Sequence, residues 1–536
     1  MRDFHLPGRS PVYAMNGMAA TSMPAATLAA LDVLRAGGNA LDAAVAAVSV
    51  LCVIEPQSTG IGGDCFCLYA PAGAGKVFAL NGSGRAPAAA TIDWYESHQI
   101  RGIENTSAHA VTVPGAVSAW ETLLGRFGTK GLDELLQPAI RYAADGWPVH
   151  SKVSWDWKNA EGKLRKNGTT RFLPNGTTPK AGDIFRQPEL AETLRGIAKH
   201  GAKAFYEGPV AADIVAALRA RGGLHTEEDF ARGLLHGAEF VDPISLSWNG
   251  HEVYQCPPNG QGLLVLMILG MLEGLPPNDG PSGLIRAHRH IEAARLAYRD
   301  RDAFLADPGQ VDVPVKKLLS REYLASMRAL ISDTAALRDL PAAGEALQPP
   351  HKDTVYLCVV DKDGNACSFI NSLFQSFGSG ILAEASGVML QNRGFGFRVQ
   401  RGHPNCIAPN KRPMHTIIPG MVMKNGPRGP EAVMPYGVMG GHYQPMGHSW
   451  FLSNFLEHGL DIQEAIDLPR LFPYGGRVEI ERGISPEVVA GLTRMGHSLE
   501  ITERPHGGGQ AIWIDRARGC LVAGSEPRKD GLALGY

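Results

Sequence analysis

One residue of this chain could supply both halves of a catalytic pair. The stretch Asp353-Thr354-Val355-Tyr356-Leu357-Cys358-Val359-Val360 runs into Asp361-Lys362-Asp363-Gly364-Asn365 and resumes at Ala366-Cys367-Ser368-Phe369-Ile370. Were the chain cut between Asp353 and Thr354, Thr354 would carry a hydroxyl and a free α-amine. A threonine hydroxyl is a poor nucleophile until a base takes its proton. A free α-amine titrates near ~7.7–8.0, so part of it is unprotonated base at neutral pH. Nucleophile and base would then sit on one residue. Taken alone, the window reads more simply as an ordinary loop-to-strand junction; the rest of the chain decides.

Several elements could position such a group. Val355, Leu357 and Val359 alternate with Tyr356, Cys358 and Val360, the period of a strand, and Gly364 closes a tight turn into a second strand. Residues 335–352, rich in Ala, Pro and Gly without periodicity, read as a linker ending at Thr354, which a self-cleaving precursor requires. Gly437-Val438-Met439-Gly440-Gly441-His442 follows a short strand and precedes a helix at about residues 446–459. Glycines there expose backbone N–H groups at a helix start, as an oxyanion site needs, although a plain strand-to-helix turn has the same look. Upstream, residues 25–36 and 41–54 read as an amphipathic and a buried helix. Gly60-Ile61-Gly62-Gly63-Asp64 follows a helix and lacks dinucleotide spacing, so a glycine turn into a strand is the better account. Residues 147–178 read as polar loop, and 245–254 as one strand leading to Cys256-Pro257-Pro258-Asn259-Gly260-Gln261-Gly262. Helices early, strands in the middle and mixed elements late give a layered α+β fold with sheets covered on their outer faces.

Composition sets outer limits. The 536 residues are 44% hydrophobic and 19% charged with a net charge of −2, a globular composition with no electrostatic case for nucleic acid or a membrane surface. Residues 1–10 lack the apolar core of a signal peptide, and the run 40–54 is too short to span a bilayer, so a cytoplasmic protein is expected. The eight cysteines form no C-x-x-C, and Cys65 and Cys67 read as core residues. His288 and His290 are two apart and do not share a helix face, so they are poor joint metal ligands. No metal and no organic cofactor is expected.

Together these pieces resemble the γ-glutamyltransferase family of N-terminal nucleophile hydrolases, nearly end to end. The resemblance rests on the order and spacing of several short matches. They are Gly37-Gly38-Asn39-Ala40-Leu41-Asp42-Ala43-Ala44, Gly60-Ile61-Gly62-Gly63-Asp64, Pro114-Gly115, Pro138-Ala139-Ile140, Asp361-Lys362-Asp363-Gly364-Asn365, Phe377-Gly378-Ser379-Gly380, Lys411-Arg412-Pro413, Gly440-Gly441 and Glu526-Pro527-Arg528 to Gly535-Tyr536. The resemblance implies a four-layer αββα sandwich made as one precursor. Self-cleavage before Thr354 would give a large subunit 1–353 and a small catalytic subunit 354–536, together one αββα domain. It further implies that Thr354 attacks an amide carbonyl, that the backbone N–H groups of Gly440 and Gly441 hold the oxyanion, and that Ser372 braces the threonine amine where the family has a threonine. Thr416 falls where a substrate-contacting serine is found.

The departures narrow the expectation. Ser83 stands where the family's carboxylate-gripping arginine is found, with Arg85 two residues on. The aspartate that holds an α-ammonium is Gly396, a nearby asparagine is Phe374, and the first of two serines is His415. The lid-forming segment between Phe397 and Pro413 is short. A site without both clamps should not favour a γ-glutamyl group. Asn81-Gly82-Ser83-Gly84-Arg85 and Gln391-Asn392-Arg393-Gly394 look more like the branch that includes oxamate amidohydrolase, with Arg85 and Arg393 as candidate partners for a small carboxylate. A surface or packing role is the alternative for each arginine. The expected function is hydrolysis of a small-molecule amide with a small or carboxylate-bearing acyl group. The competing readings are a γ-glutamyl hydrolase or transferase acting on glutathione, and an uncleaved precursor that only binds. A homodimer of processed units is compatible with the size.

Overall fold

The strand Val355–Val360 exists because its two faces serve two different cores. Val355, Leu357 and Val359 join one buried cluster, while Tyr356, Cys358 and Val360 join another. Alternating β-branched and aromatic side chains fill both, as a strand buried on two faces requires. The computed structural model describes His5 and residues 8–338, 340, 354–427 and 429–536. Asp353 and most of the expected linker lie outside the described residues.

Val355–Val360 is the third strand of a seven-stranded antiparallel sheet. Its order is Leu532–Gly535, Met18–Thr21, Val355–Val360, Ala366–Ser372, Asp64–Ala70, Phe78–Gly82 and Glu239–Val241. A second antiparallel sheet runs Val12–Ala14, Cys520–Ser525, Gly508–Asp515, Gly429–Met439, Gly420–Gly426, His251–Gln255 and Ile244–Trp248. The sheets share a core of Phe66, Leu68, Ile370, Met421, Met423 and Ile512 among others. On the outer face of the first sheet lie helices Pro24–Arg35 and Ala40–Ile54. On the outer face of the second, Val422 and Val438 meet helices Gly262–Leu272, Leu284–Phe304 and Gln444–Leu452. The architecture is therefore α+β, in four layers ordered αββα.

Every residue of Ala40–Ile54 is buried, as its apolar composition predicts. Asn39 caps this helix by accepting from the N–H groups of Leu41 and Asp42, and the Asp42 carboxylate accepts from the Asn39 N–H at 2.8 Å. Such a reciprocal cap contributes about 1 kcal/mol. The Asp361 carboxylate accepts the Ala40 N–H at 2.9 Å and also holds the N–H groups of Asp363 and Asn365. The turn after Val360 is thus pinned to the helix beneath it.

Two sequence expectations need correction. The stretch 245–254 is a hairpin, Ile244–Trp248 and His251–Gln255, because Asn249 (φ 46°) and Gly250 (φ 71°) both take the left-handed conformation of a two-residue turn. Within 147–178 two short helices form, Ser151–Lys158 and Glu161–Lys166. Trp157 and Leu164 anchor them in the first core, which the polar composition of the stretch concealed.

Candidate active site

Thr354 sits immediately before its strand and is fully buried. Val355 pairs with Asn371, which sets Thr354 against Ser372, the last residue of the neighbouring strand. The two hydroxyl oxygens are 3.1 Å apart, and either can donate. Ser372 Oγ also accepts the Phe374 N–H at 2.8 Å. The chain passes this point closely on the other side. A Cβ on Gly63 would lie 2.4 Å from the Ser372 carbonyl oxygen, so the glycine run 60–64 serves close backbone approach.

Gly440 and Gly441 follow the end of strand Gly429–Met439, with φ of 125° and 58°. The Gly440 carbonyl accepts the Tyr443 N–H at 3.1 Å. The Gly441 carbonyl accepts from Gln261 Nε2 at 2.9 Å, and the same amide donates to the Thr416 carbonyl at 2.8 Å. Arg301 Nη1 lies 3.4 Å from Gln261 Oε1 and 3.0 Å from His442 Nδ1. The Tyr298 hydroxyl donates to the His442 carbonyl. With these carbonyls tied down, the peptide planes around Gly441 are fixed, which is what a preorganised oxyanion site demands.

Arg393 lies wholly inside the protein. Its Nη1 donates to Thr416 Oγ1 at 2.8 Å, while Nε and Nη2 have no hydrogen-bond partner. The guanidinium carbon stands 3.9 Å from the centre of the Phe374 ring, a cation–π contact. Burial pushes this guanidinium down to about 9, although the Asp64 charge favours its protonated form. An unreplaced water shell around a buried cation is expensive, so the two idle N–H groups mark a position that an anion would complete.

Asp64 organises the remaining wall. Its Oδ1 accepts from the Gly84 N–H at 3.0 Å, the Gly115 N–H at 3.1 Å and Gln391 Nε2 at 2.9 Å. Its Oδ2 is 3.0 Å from His415 Nε2. His415 Nδ1 accepts the Ile417 N–H at 3.3 Å. Burial, followed by repulsion from Arg393, pushes His415 down to about 3 despite Asp64, so the ring is a neutral donor to the carboxylate.

Of the residues picked from sequence, Thr354, Ser372, Phe374, Arg393, Thr416 and Gly441 form an unbroken run of contacts, closed between the last two by Gln261. Gly440 adjoins this run through Gly441, and His415 through Thr416. Arg85 is engaged elsewhere. Its guanidinium donates to the Asn410 carbonyl at 3.1 Å and faces Asp307 at 3.6 Å and Glu239 at 3.7 Å. There it lines a cavity of about 430 Å³ with Arg232 and His236. Sequence reading missed Asp64, Gln261, Arg301 and Gln391 as site residues. Gln261 lay in the glycine-proline stretch 256–262, where only a turn was evident.

One group among the described residues has ligand-type atoms close enough for a metal: His288, Glu292 and His497, all within 4.8 Å of one another. These atoms already have protein partners. His288 Nδ1 is 2.8 Å from His497 Nε2, its Nε2 is 2.5 Å from the Ser332 carbonyl, and Glu292 accepts from Arg295 and from the Leu337 N–H. The group reads as a polar brace. No helix among the described residues is long and apolar enough to cross a membrane.

Two antiparallel sheets between helical layers, with a hydroxyl residue heading a central strand, define the architecture of N-terminal nucleophile hydrolases. Residues 26–536 match the gamma-glutamyltranspeptidase family, and the chain belongs to it. The chain is 36% identical to the glutathione hydrolase-like YwrD proenzyme of Bacillus subtilis, across 94% of this chain and 95% of that one. It is 34% identical to the oxamate amidohydrolase proenzyme of Klebsiella pneumoniae, across 97% and 98%. Among solved structures, a cephalosporin acylase from Bacillus halodurans superposes with a TM-score of 0.91 at 38% identity, covering 100% of this chain and 99% of that one. The family is one of enzymes, amidohydrolases and transpeptidases, and these curated relatives are made as proenzymes.

Proposed function

We propose that this chain cleaves itself before Thr354 and then hydrolyses an amide whose acyl group is small and carries a carboxylate, of the oxamate type. In the first event the Thr354 hydroxyl attacks the Asp353 carbonyl, the acyl group shifts from nitrogen to oxygen, and water hydrolyses the ester to release a free α-amine. In turnover that amine takes the hydroxyl proton while Oγ1 attacks the substrate carbonyl. Gly440 and Gly441 receive the oxyanion, the leaving amine takes up the proton, and water then hydrolyses the acyl-threonine ester. Ser372 orients Thr354, Thr416 holds Arg393, and His415 with Asp64 forms a neutral wall.

The observation that carries the substrate class is Arg393, a fully buried guanidinium with two unpartnered N–H groups beside Thr416 and Phe374. A carboxylate would accept both. Arg85 has no part in this reading, because Glu239 and Asp307 already face it. Gly396 offers no carboxylate to a substrate ammonium, which disfavours a γ-glutamyl group.

Intact-mass analysis of wild type beside Thr354→Ala tests the reading, followed by a panel of oxamate, glutathione and γ-glutamyl-p-nitroanilide. Fragments that break before Thr354 in the wild type alone, with oxamate the preferred substrate, are expected. Preference for the γ-glutamyl compounds would move the assignment to a glutathione hydrolase. A single uncleaved chain inactive on all three would leave a binding protein.

A further inference from the structure

Phe374 is the one bulky residue at the site with a left-handed backbone, at φ 80°. A phenylalanine rarely occupies this region, and a strained residue at a functional site calls for a reason. The surroundings supply one. The Phe374 N–H is held by Ser372 Oγ, the hydroxyl that also faces Thr354. Its ring is 99% buried, with one face against the Arg393 guanidinium at 3.9 Å. Its edge meets His442, the residue after the glycine pair, with ring centres 6.2 Å apart at 84°. His442 is itself stacked on Tyr474 at 5.3 Å and 16°, so it cannot retreat freely.

The ring therefore spans from the anion-seeking guanidinium to the loop that carries Gly440 and Gly441, with its own backbone fixed to the hydroxyl beside the nucleophile. We infer that Phe374 sets the length of the acyl group. It acts as a steric stop that admits a carboxylate joined directly, or through one methylene, to the reacting carbonyl and turns away longer chains. This rests on the reading of Arg393 as the carboxylate partner. The left-handed backbone is what places the ring across the site while leaving the N–H on Ser372.

The test uses the processed enzyme and four amides of growing length: oxamate, malonamate, succinamate and glutaramate. The wild type should lose at least tenfold in kcat/KM from the short pair to glutaramate. Phe374→Ala should shift that ratio toward the longer pair by at least tenfold. Phe374→Asn, whose side chain tolerates the left-handed backbone, should do the same and guards against a folding defect in the alanine variant. Equal losses on all four substrates in both variants would overturn the inference and leave the ring a packing role. Calorimetry with the free acids, oxalate to glutarate, reads the same length preference without turnover. Length-dependent binding that the variants relax, without hydrolysis, would sustain the stop and remove the amidase reading. No binding of any acid would remove both.

Discussion

Replacing Arg393 with methionine should separate stability from activity. The guanidinium is buried, has no carboxylate partner within ion-pair distance among the described residues, and has burial pushing it down to about 9. Such a charge burdens the folded state, and an apolar residue of similar length relieves it. One hydrogen bond, to Thr416 Oγ1, is lost in exchange, about 1 kcal/mol or a little more. Thermal unfolding of Arg393→Met should therefore occur at or above the wild-type temperature. Catalysis should move the other way. Two charge-assisted hydrogen bonds to a substrate carboxylate are worth about 1.5–3 kcal/mol each, so about 3–6 kcal/mol is lost. At about 1.36 kcal/mol per factor of ten, kcat/KM on an acidic amide falls ~10²–10⁴-fold. A neutral anilide such as p-nitroacetanilide supplies the control and should change by less than about tenfold. Steady-state kinetics on both substrates and a calorimetric scan suffice. Equal losses on the two substrates, or a marked fall in unfolding temperature, would refute the assignment of Arg393 to carboxylate recognition.

Two further outcomes follow from the geometry. Gln261→Leu removes the amide that holds the Gly441 and Thr416 carbonyls, and should lower kcat ~10–100-fold with KM within about threefold, measured on the processed enzyme; an unchanged kcat would show that the loop holds its shape without that bracket. Three fully buried histidines make stability depend on pH: burial pushes His225 to about 4 and His415 and His448 to about 3, below the ordinary 6.5. Because the unfolded chain binds protons that the folded one refuses, stability is present above pH 6.5 and is lost as pH falls toward 4, by about 1.4 kcal/mol per pH unit for each histidine. Glu55, which burial pushes up to about 7, opposes one of the three over the same range. A net loss of about 3 kcal/mol per pH unit should appear in urea denaturation between pH 6.5 and 5, and a flat profile would refute these protonation states.

Some of this was legible in the sequence because it is local. The alternation of 355–360, the Asn39 and Asp42 cap and the apolar run of 40–54 each depend on neighbours a few residues away, and each element formed where the pattern placed it. The turn Asn249-Gly250 was local too, but it was read through, and one strand was expected where a hairpin stands. What stayed hidden depends on distant partners. Arg85 and Arg393 are the same residue type in similar glycine-rich settings. They differ because Glu239 and Asp307, far off in sequence, meet the first, while only Thr416 meets the second. Asp64 looked like the end of a glycine turn until donors from residues 84, 115, 391 and 415 converged on it. Gln261 gained its role only when Thr416 and Gly441 folded against it.

Each sheet draws strands from both sides of the Asp353-Thr354 bond. In the first, Met18–Thr21 lies between Leu532–Gly535 and Val355–Val360. In the second, Val12–Ala14 edges a block of four strands that all follow Thr354. A cut before Thr354 would thus leave two polypeptides woven through common sheets, unable to part without dismantling both. Assembly would have to precede the cut, since neither piece has a complete sheet of its own. After the cut, unfolding would release two molecules in place of one, and recovery would become a second-order encounter between fragments. A mature form of this kind would hold its shape by the slowness of coming apart more than by any ability to find it again.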